Sequence, residues 1–101
     1  MNLNEYQIAT RKTAMYPNRN SDGLVYSVLA LCGEAGELAN KLKKSLRAGT
    51  PPEPPVLADE LGDVFWYVAS TAHELGYTLE EIAQMNLDKL AERARQKQIV
   101  G

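Results

Sequence analysis

The chain has 101 residues with a net charge of 11 − 13 = −2, 45% hydrophobic and 24% charged residues. One domain over residues 1–101 is the expectation for this length, and the composition excludes global disorder. The mild acidity argues against nucleic acid or an acidic membrane as a general partner. The longest nearly apolar run, Leu24 to Cys32, is about half of what a membrane span needs. The first residues lack the basic-then-apolar order of a signal peptide. With one cysteine, Cys32, the chain has no internal disulfide and no cysteine-based zinc cluster. A buried thiol in a cytoplasmic protein is expected.

Helix signals dominate. Asn2 and Glu5 make a box-like start for a first helix, with Leu3, Tyr6, Ile8 and Met15 as a ragged apolar face. Pro17 ends that segment, and Pro17-Asn18-Arg19-Asn20-Ser21-Asp22-Gly23 reads as a loop. Leu24, Val28, Leu31, Ala35, Leu38 and Leu42 then recur at steps of four and three, predicting a long second helix with one buried stripe and a stop at Gly49. Thr50 to Pro55 holds four of the five prolines and reads as an extended connector.

A third helix is predicted from Pro55 or Val56 to Leu75, stopped by Gly76. Its centre, Val64-Phe65-Trp66-Tyr67-Val68-Ala69, is apolar nearly all round and calls for cover on several sides. Thr78 and Glu81 form a capping box for a fourth helix reaching about Arg95. The expected fold class is all-α, a four-helix bundle-like chain. The breadth of the third helix suggests that homo-oligomerisation completes it.

Four carboxylates stand apart from the other charges. Glu34 and Glu37 lie i, i+3 on helix two, and Glu60 and Asp63 lie i, i+3 on helix three. Each pair shares a helix face and sits among apolar residues, where charges are rare unless paired or metal-bound. Gly33, Gly36 and Gly62 beside them are costly inside helices, by about 1 kcal/mol each against alanine. Close approach of a helix or ligand would account for them.

The hairpin arithmetic lets the pairs meet. Glu37 to Arg47 is roughly 15 Å of helix and Val56 to Glu60 roughly 6 Å in return. The proline-rich connector spans up to about 25 Å, more than the difference. Four converging carboxylates need a cation among them. An all-oxygen set suits Mg²⁺, with Mn²⁺ as a substitute. A di-iron bundle would want Glu-x-x-His pairs, and the single His73 reads as a surface or interhelix residue.

Removing the four acids leaves the rest of the chain at +2. Asn86, Lys89 and Arg93 form one stripe on helix four, while Lys41, Lys43, Lys44 and Arg47 crowd the end of helix two, where the helix dipole already favours them. Cations near a carboxylate-held metal ion suit a polyphosphate ligand.

Glu34-x-x-Glu37, a gap of 22 residues and Glu60-x-x-Asp63 resemble the MazG-type nucleoside triphosphate pyrophosphohydrolases of the all-α NTP pyrophosphatase group. The settings Gly33-Glu34-Ala35-Gly36-Glu37-Leu38 and Asp59-Glu60-Leu61-Gly62-Asp63-Val64 carry that likeness, as does Asn86-x-x-Lys89-Leu90-x-x-x-Arg93. The resemblance implies an enzyme that hydrolyses (deoxy)nucleoside triphosphates between the α and β phosphates, for nucleotide-pool cleaning or control. It implies Mg²⁺ on Glu34, Glu37, Glu60 and Asp63, with Glu34 as the base. Lys44, Asn86, Lys89 and Arg93 are implied as nucleotide and phosphate binders, and a homo-dimer or homo-tetramer as the assembly, its sites near subunit contacts.

The base pocket is open at this level. Tyr6, Tyr16, Tyr26 and Trp66 are the aromatic candidates and Gln7 a hydrogen-bonding one; Gln7 and Tyr26 are taken as base-pocket residues. Two further readings are a nucleotide- or metal-binding sensor without catalysis and an oligomerisation module whose acids only face solvent.

Overall fold

The structure is a computed structural model describing residues 1–19 and 21–100, with side chains through Gln98. Asn20 of the expected loop and Gly101 lie outside the described residues. Four helices follow one another: α1 (Leu3–Arg11), α2 (Leu24–Ala48), α3 (Pro54–Glu74) and α4 (Leu79–Val100). Among the described residues there is no strand, and no helix is long and apolar enough to cross a membrane. The fold is all-α and bundle-like, as the sequence indicated.

The ends are set by local chemistry. Asn2 Oδ1 accepts from the Glu5 backbone N–H at 2.8 Å, while its amide donates to the Glu5 carboxylate at 2.6 Å. The Thr78 hydroxyl accepts from Glu81 N–H at 3.1 Å, and the Glu81 carboxylate accepts from Thr78 N–H at 2.9 Å. That reciprocal box opens α4. Gly49, with φ +69°, closes α2 in the left-handed region. Pro54 begins α3, one residue before the predicted start, where a missing N–H costs nothing. α4 continues past the expected Arg95 to Val100.

α3 is the centre of the molecule, packing against α1, α2 and α4. α2 and α3 form the main hairpin. The residues of α2 turned toward α3 are Ser27, Leu31, Glu34, Leu38, Lys41 and Ser45, at alternating steps of four and three. Leu57, Glu60, Val64, Tyr67 and Thr71 make the matching row on α3. This is a coiled-coil-like seam. It corrects the sequence reading of α2: of the predicted stripe only Leu31 and Leu38 lie in the seam, and Val28 and Leu42 are each 40% exposed. The helix is rotated so that Glu34 and Lys41 enter the seam, and part of its apolar surface faces out.

α1 also departs from expectation. It ends at Arg11, Met15 is 85% exposed in the following loop, and Ile8 is 65% exposed. The inward side is polar instead. The Gln7 amide donates to Tyr77 O at 3.0 Å and Ala69 O at 3.3 Å, and its oxygen accepts from Leu79 N–H at 2.9 Å. Asn4 Oδ1 accepts from Glu80 N–H at 3.1 Å. α1 thus satisfies free backbone groups at the start of α4, which a helix end must find somewhere.

After α1 ends, Ala14 and Tyr16 are buried and belong to the core, as do Ala69, Ala72 and Leu79. The Tyr16 hydroxyl donates to Glu74 at 2.7 Å and accepts from Arg11 at 3.1 Å. Its ring lies parallel to Tyr26, with centroids 5.9 Å apart. α4 is buried only at its start: Leu79 is enclosed, and from Gln84 onward every described side chain is exposed. Among the described residues α4 does not touch α2.

Candidate active site

Three of the four singled-out acids converge. One carboxylate oxygen from each of Glu34, Glu60 and Asp63 lies within 4.8 Å of the others. The seam produces this. Glu34 points inward from α2, Glu60 points inward from the antiparallel α3, and Asp63, one turn further, stands exposed at the rim. Glu37 is exposed on the α2 face that also carries Gly36, Asn40 and Lys43 and stands outside the group of three.

Burial holds the Glu34 carboxyl above its usual pKa, and the charges of Asp63, Glu60 and Glu37 add to the effect. Glu37 therefore acts on the group through its field. Such a cluster stores repulsion that a cation relieves. The donor set is all carboxylate oxygen, with no cysteine or histidine in the group, which fits a hard divalent ion such as Mg²⁺ or Mn²⁺. Lys41 Nζ lies 3.9 Å from Glu60 Oε1.

A cavity of about 370 Å³ opens beside the carboxylates, walled by Thr13, Glu34, Asp63, Trp66 and Tyr67. Trp66 Nε1 donates to the Thr13 hydroxyl at 3.2 Å, and the Trp66 and Tyr67 rings meet edge to face at 4.9 Å. The Tyr67 phenol is held above its usual pKa by burial, by Tyr26 and by the Glu34 and Asp63 charges. This places aromatic surface next to a negatively charged group.

The other candidates distribute as follows. Lys44 lines a cavity of about 360 Å³ at the connector end of the hairpin, with Lys41, Ser45 and Thr50. Asn86, Lys89 and Arg93 lie on the exposed length of α4 and do not wall the carboxylate cavity within one chain. Gln7 is buried with its amide committed to backbone, and Tyr16 is a core residue. Tyr6 packs on Phe65 at 4.9 Å. Tyr26 is 45% exposed and stacks on Tyr16. His73 lines a different cavity, with Gln7 and Arg11.

Tyr67 and Thr13 are site-wall residues that the sequence reading did not select. Tyr67 was legible: Glu60, Asp63 and Tyr67 follow i, i+3, i+7 on one helix face. Thr13 lies in a loop and had no such signal. The expected crowding at Gly33, Gly36 and Gly62 is not found. A Cβ at any of the three would meet nothing within 4 Å among the described atoms.

Residues 26–97 match the family model of the MazG nucleotide pyrophosphohydrolase domain. The chain belongs to the MazG family. The match takes in all four singled-out acids, Trp66, Tyr67 and the α4 stripe, whereas Gln7 and Thr13 precede it. The chain is also 43% identical to the gene 37 protein of Mycobacterium phage L5, covering 100% of this chain and 96% of that protein. No solved structure matches it. MazG membership makes the chain one of a hydrolase family that acts on nucleotides, so the cluster between α2 and α3 is the natural place to seek its chemistry.

Proposed function

We propose that this MazG-family protein hydrolyses (deoxy)nucleoside triphosphates to the nucleoside monophosphate and pyrophosphate in a Mg²⁺-dependent reaction, serving cytoplasmic nucleotide-pool cleaning or control. The observation that carries the reading is the convergence of Glu34, Glu60 and Asp63 within 4.8 Å beside a cavity walled by Trp66 and Tyr67. In this reading the three carboxylates hold the cation and Glu37 strengthens the field that attracts it. A bound divalent ion would neutralise the carboxylates and phosphate oxygens and act as a Lewis acid toward the phosphorus.

Glu34 is the base. It is the acid of the group that faces both the α2–α3 seam and the cavity, within reach of a water placed there. The water oxygen adds to the α-phosphorus, the α–β bridging bond breaks, and pyrophosphate leaves. The aromatic wall of Trp66 and Tyr67 offers a stacking surface for the base, with Tyr26 nearby, while Lys44 takes phosphate oxygens.

Asn86, Lys89 and Arg93 fit this role when α4 of one chain reaches the hairpin of another. A homo-dimer or homo-tetramer is supported by the apolar surface left outside. Val25, Leu29 and Leu46 on α2 are 64%, 66% and 73% exposed, and Leu87 on α4 is 60% exposed. A single chain gains little from that arrangement, whereas a second copy covering it buries it.

The test is a product assay on a panel of ribo- and deoxyribonucleoside triphosphates with Mg²⁺ or EDTA. Monophosphate and pyrophosphate formed only with Mg²⁺, and lost in Asp63→Asn and Glu60→Gln, is the expected result. Tight nucleotide binding without product from any member of the panel would instead favour a sensor.

A further inference from the structure

We infer that Lys41 is an exchangeable counter-ion: it neutralises Glu60 while no divalent cation is bound, and a cation that displaces it frees its ammonium for a phosphate oxygen of the nucleotide. The inference rests on the metal-dependent reading above and adds a regulation of that site, by making cation and polyphosphate binding cooperative.

Lys41 occupies the inward row of α2, two turns after Glu34 and between Leu38 and Ser45. A seam position of this kind favours an apolar side chain, and a lysine there loses hydration. Its partner Glu60 is 16% exposed, so the pair is shielded from solvent on the carboxylate side. Among the described residues no other lysine or arginine stands within ion-pair distance of Glu34, Glu60 or Asp63.

The contact is built for exchange. At 3.9 Å it is a charge contact and too long for a hydrogen bond. The Lys41 side chain is 40% exposed, and its stem lines the cavity that also holds Lys44, Ser45 and Thr50. Glu53 is the single acid on that cavity's wall. A divalent ion among the three carboxylates would set like charge beside the ammonium and withdraw Glu60 from it. The flexible lysine stem then turns toward Lys44. Two ammonium groups at one cavity bind a polyphosphate better than one.

The test compares Lys41→Met, Lys41→Gln and Lys41→Arg with Lys43→Met, which removes the same net charge from the neighbouring exposed face. Mn²⁺ binding is measured by electron paramagnetic resonance without nucleotide. Binding of a nucleoside triphosphate analogue with a methylene α–β bridge is measured at saturating Mn²⁺. Lys41→Met and Lys41→Gln are expected to bind Mn²⁺ roughly three- to tenfold more tightly, and the analogue about tenfold more weakly. Lys41→Arg keeps both properties near wild type, and Lys43→Met changes neither by more than about twofold.

Unchanged or weaker Mn²⁺ binding in both neutral Lys41 variants, with wild-type helical content, would overturn the inference alone. Equal tightening in Lys43→Met would do the same, because net charge would then explain it. Absence of Mn²⁺ binding in the wild-type protein would overturn both this inference and the metal-dependent reading.

Discussion

The Gln7 side-chain oxygen accepts the backbone N–H of Leu79 at 2.9 Å, joining the second turn of α1 to the first residue of α4. The same amide donates to Tyr77 O and Ala69 O, so one side chain serves three backbone groups. Gln7→Leu would keep much of the volume, leave the buried Leu79 N–H without its acceptor and remove the bond to Tyr77 O. Each such loss costs about 1–3 kcal/mol. The expected outcome is a destabilisation of about 2–4 kcal/mol in urea or thermal unfolding. A change below about 0.5 kcal/mol would show that the clamp is dispensable.

Glu34 links stability to pH. Its folded-state pKa lies above the ordinary 4.5. The folded protein therefore binds this proton more tightly than the unfolded chain. The associated stability is fully present below about 4.5 and is lost as pH rises through the folded-state value. Metal-free wild-type protein is expected to lose that component over the rise. Glu34→Gln should remove the component, so the difference in ΔG between the two proteins grows from pH 4 to pH 7. A pH-independent difference would refute the assignment.

Divalent cations should act in the opposite sense at neutral pH. A ion that binds only the folded state raises the melting temperature by mass action. Mg²⁺ or Mn²⁺ is expected to shift wild-type Tm upward, EDTA to reverse it, and Asp63→Asn to abolish most of the shift. A shift retained in full by Asp63→Asn would place the cation elsewhere.

The glycines separate one chain from an assembly. Gly33, Gly36 and Gly62 have open space where a Cβ would stand, so alanine there should stabilise each helix by about 1 kcal/mol. If a second copy packs closely on them, the same substitutions should weaken association, which sedimentation would detect. Gly23 is different. A Cβ there would come within 2.7 Å of both the Glu74 carboxylate and the Tyr16 ring. Gly23→Ala is expected to lower stability by about 1–3 kcal/mol.

Much of the molecule was legible in one dimension. The boxes at Asn2 and Thr78, the left-handed stops at Gly49 and Gly76, and the proline start of α3 follow from interactions within a few residues. The i, i+3 spacing of Glu60 and Asp63 put them on one helix face, and the connector length allowed Glu34 to meet them. Local hydrogen bonding and helical pitch are properties of short segments, so sequence alone determines them.

The rotation of α2 against α3 is a different kind of quantity. Apolar periodicity marks which residues share a face, but an apolar face can be satisfied by its own chain or by another copy. Only the packed hairpin turned Glu34 and Lys41 inward, and left Glu37, Val25 and Leu29 outside. The polar inward side of α1 likewise answers backbone groups some seventy residues away at Tyr77 and Leu79. Sequence determined the helices and the inventory of charges; tertiary packing decided which charges meet, because only packing brings distant backbone and side chains within hydrogen-bond range.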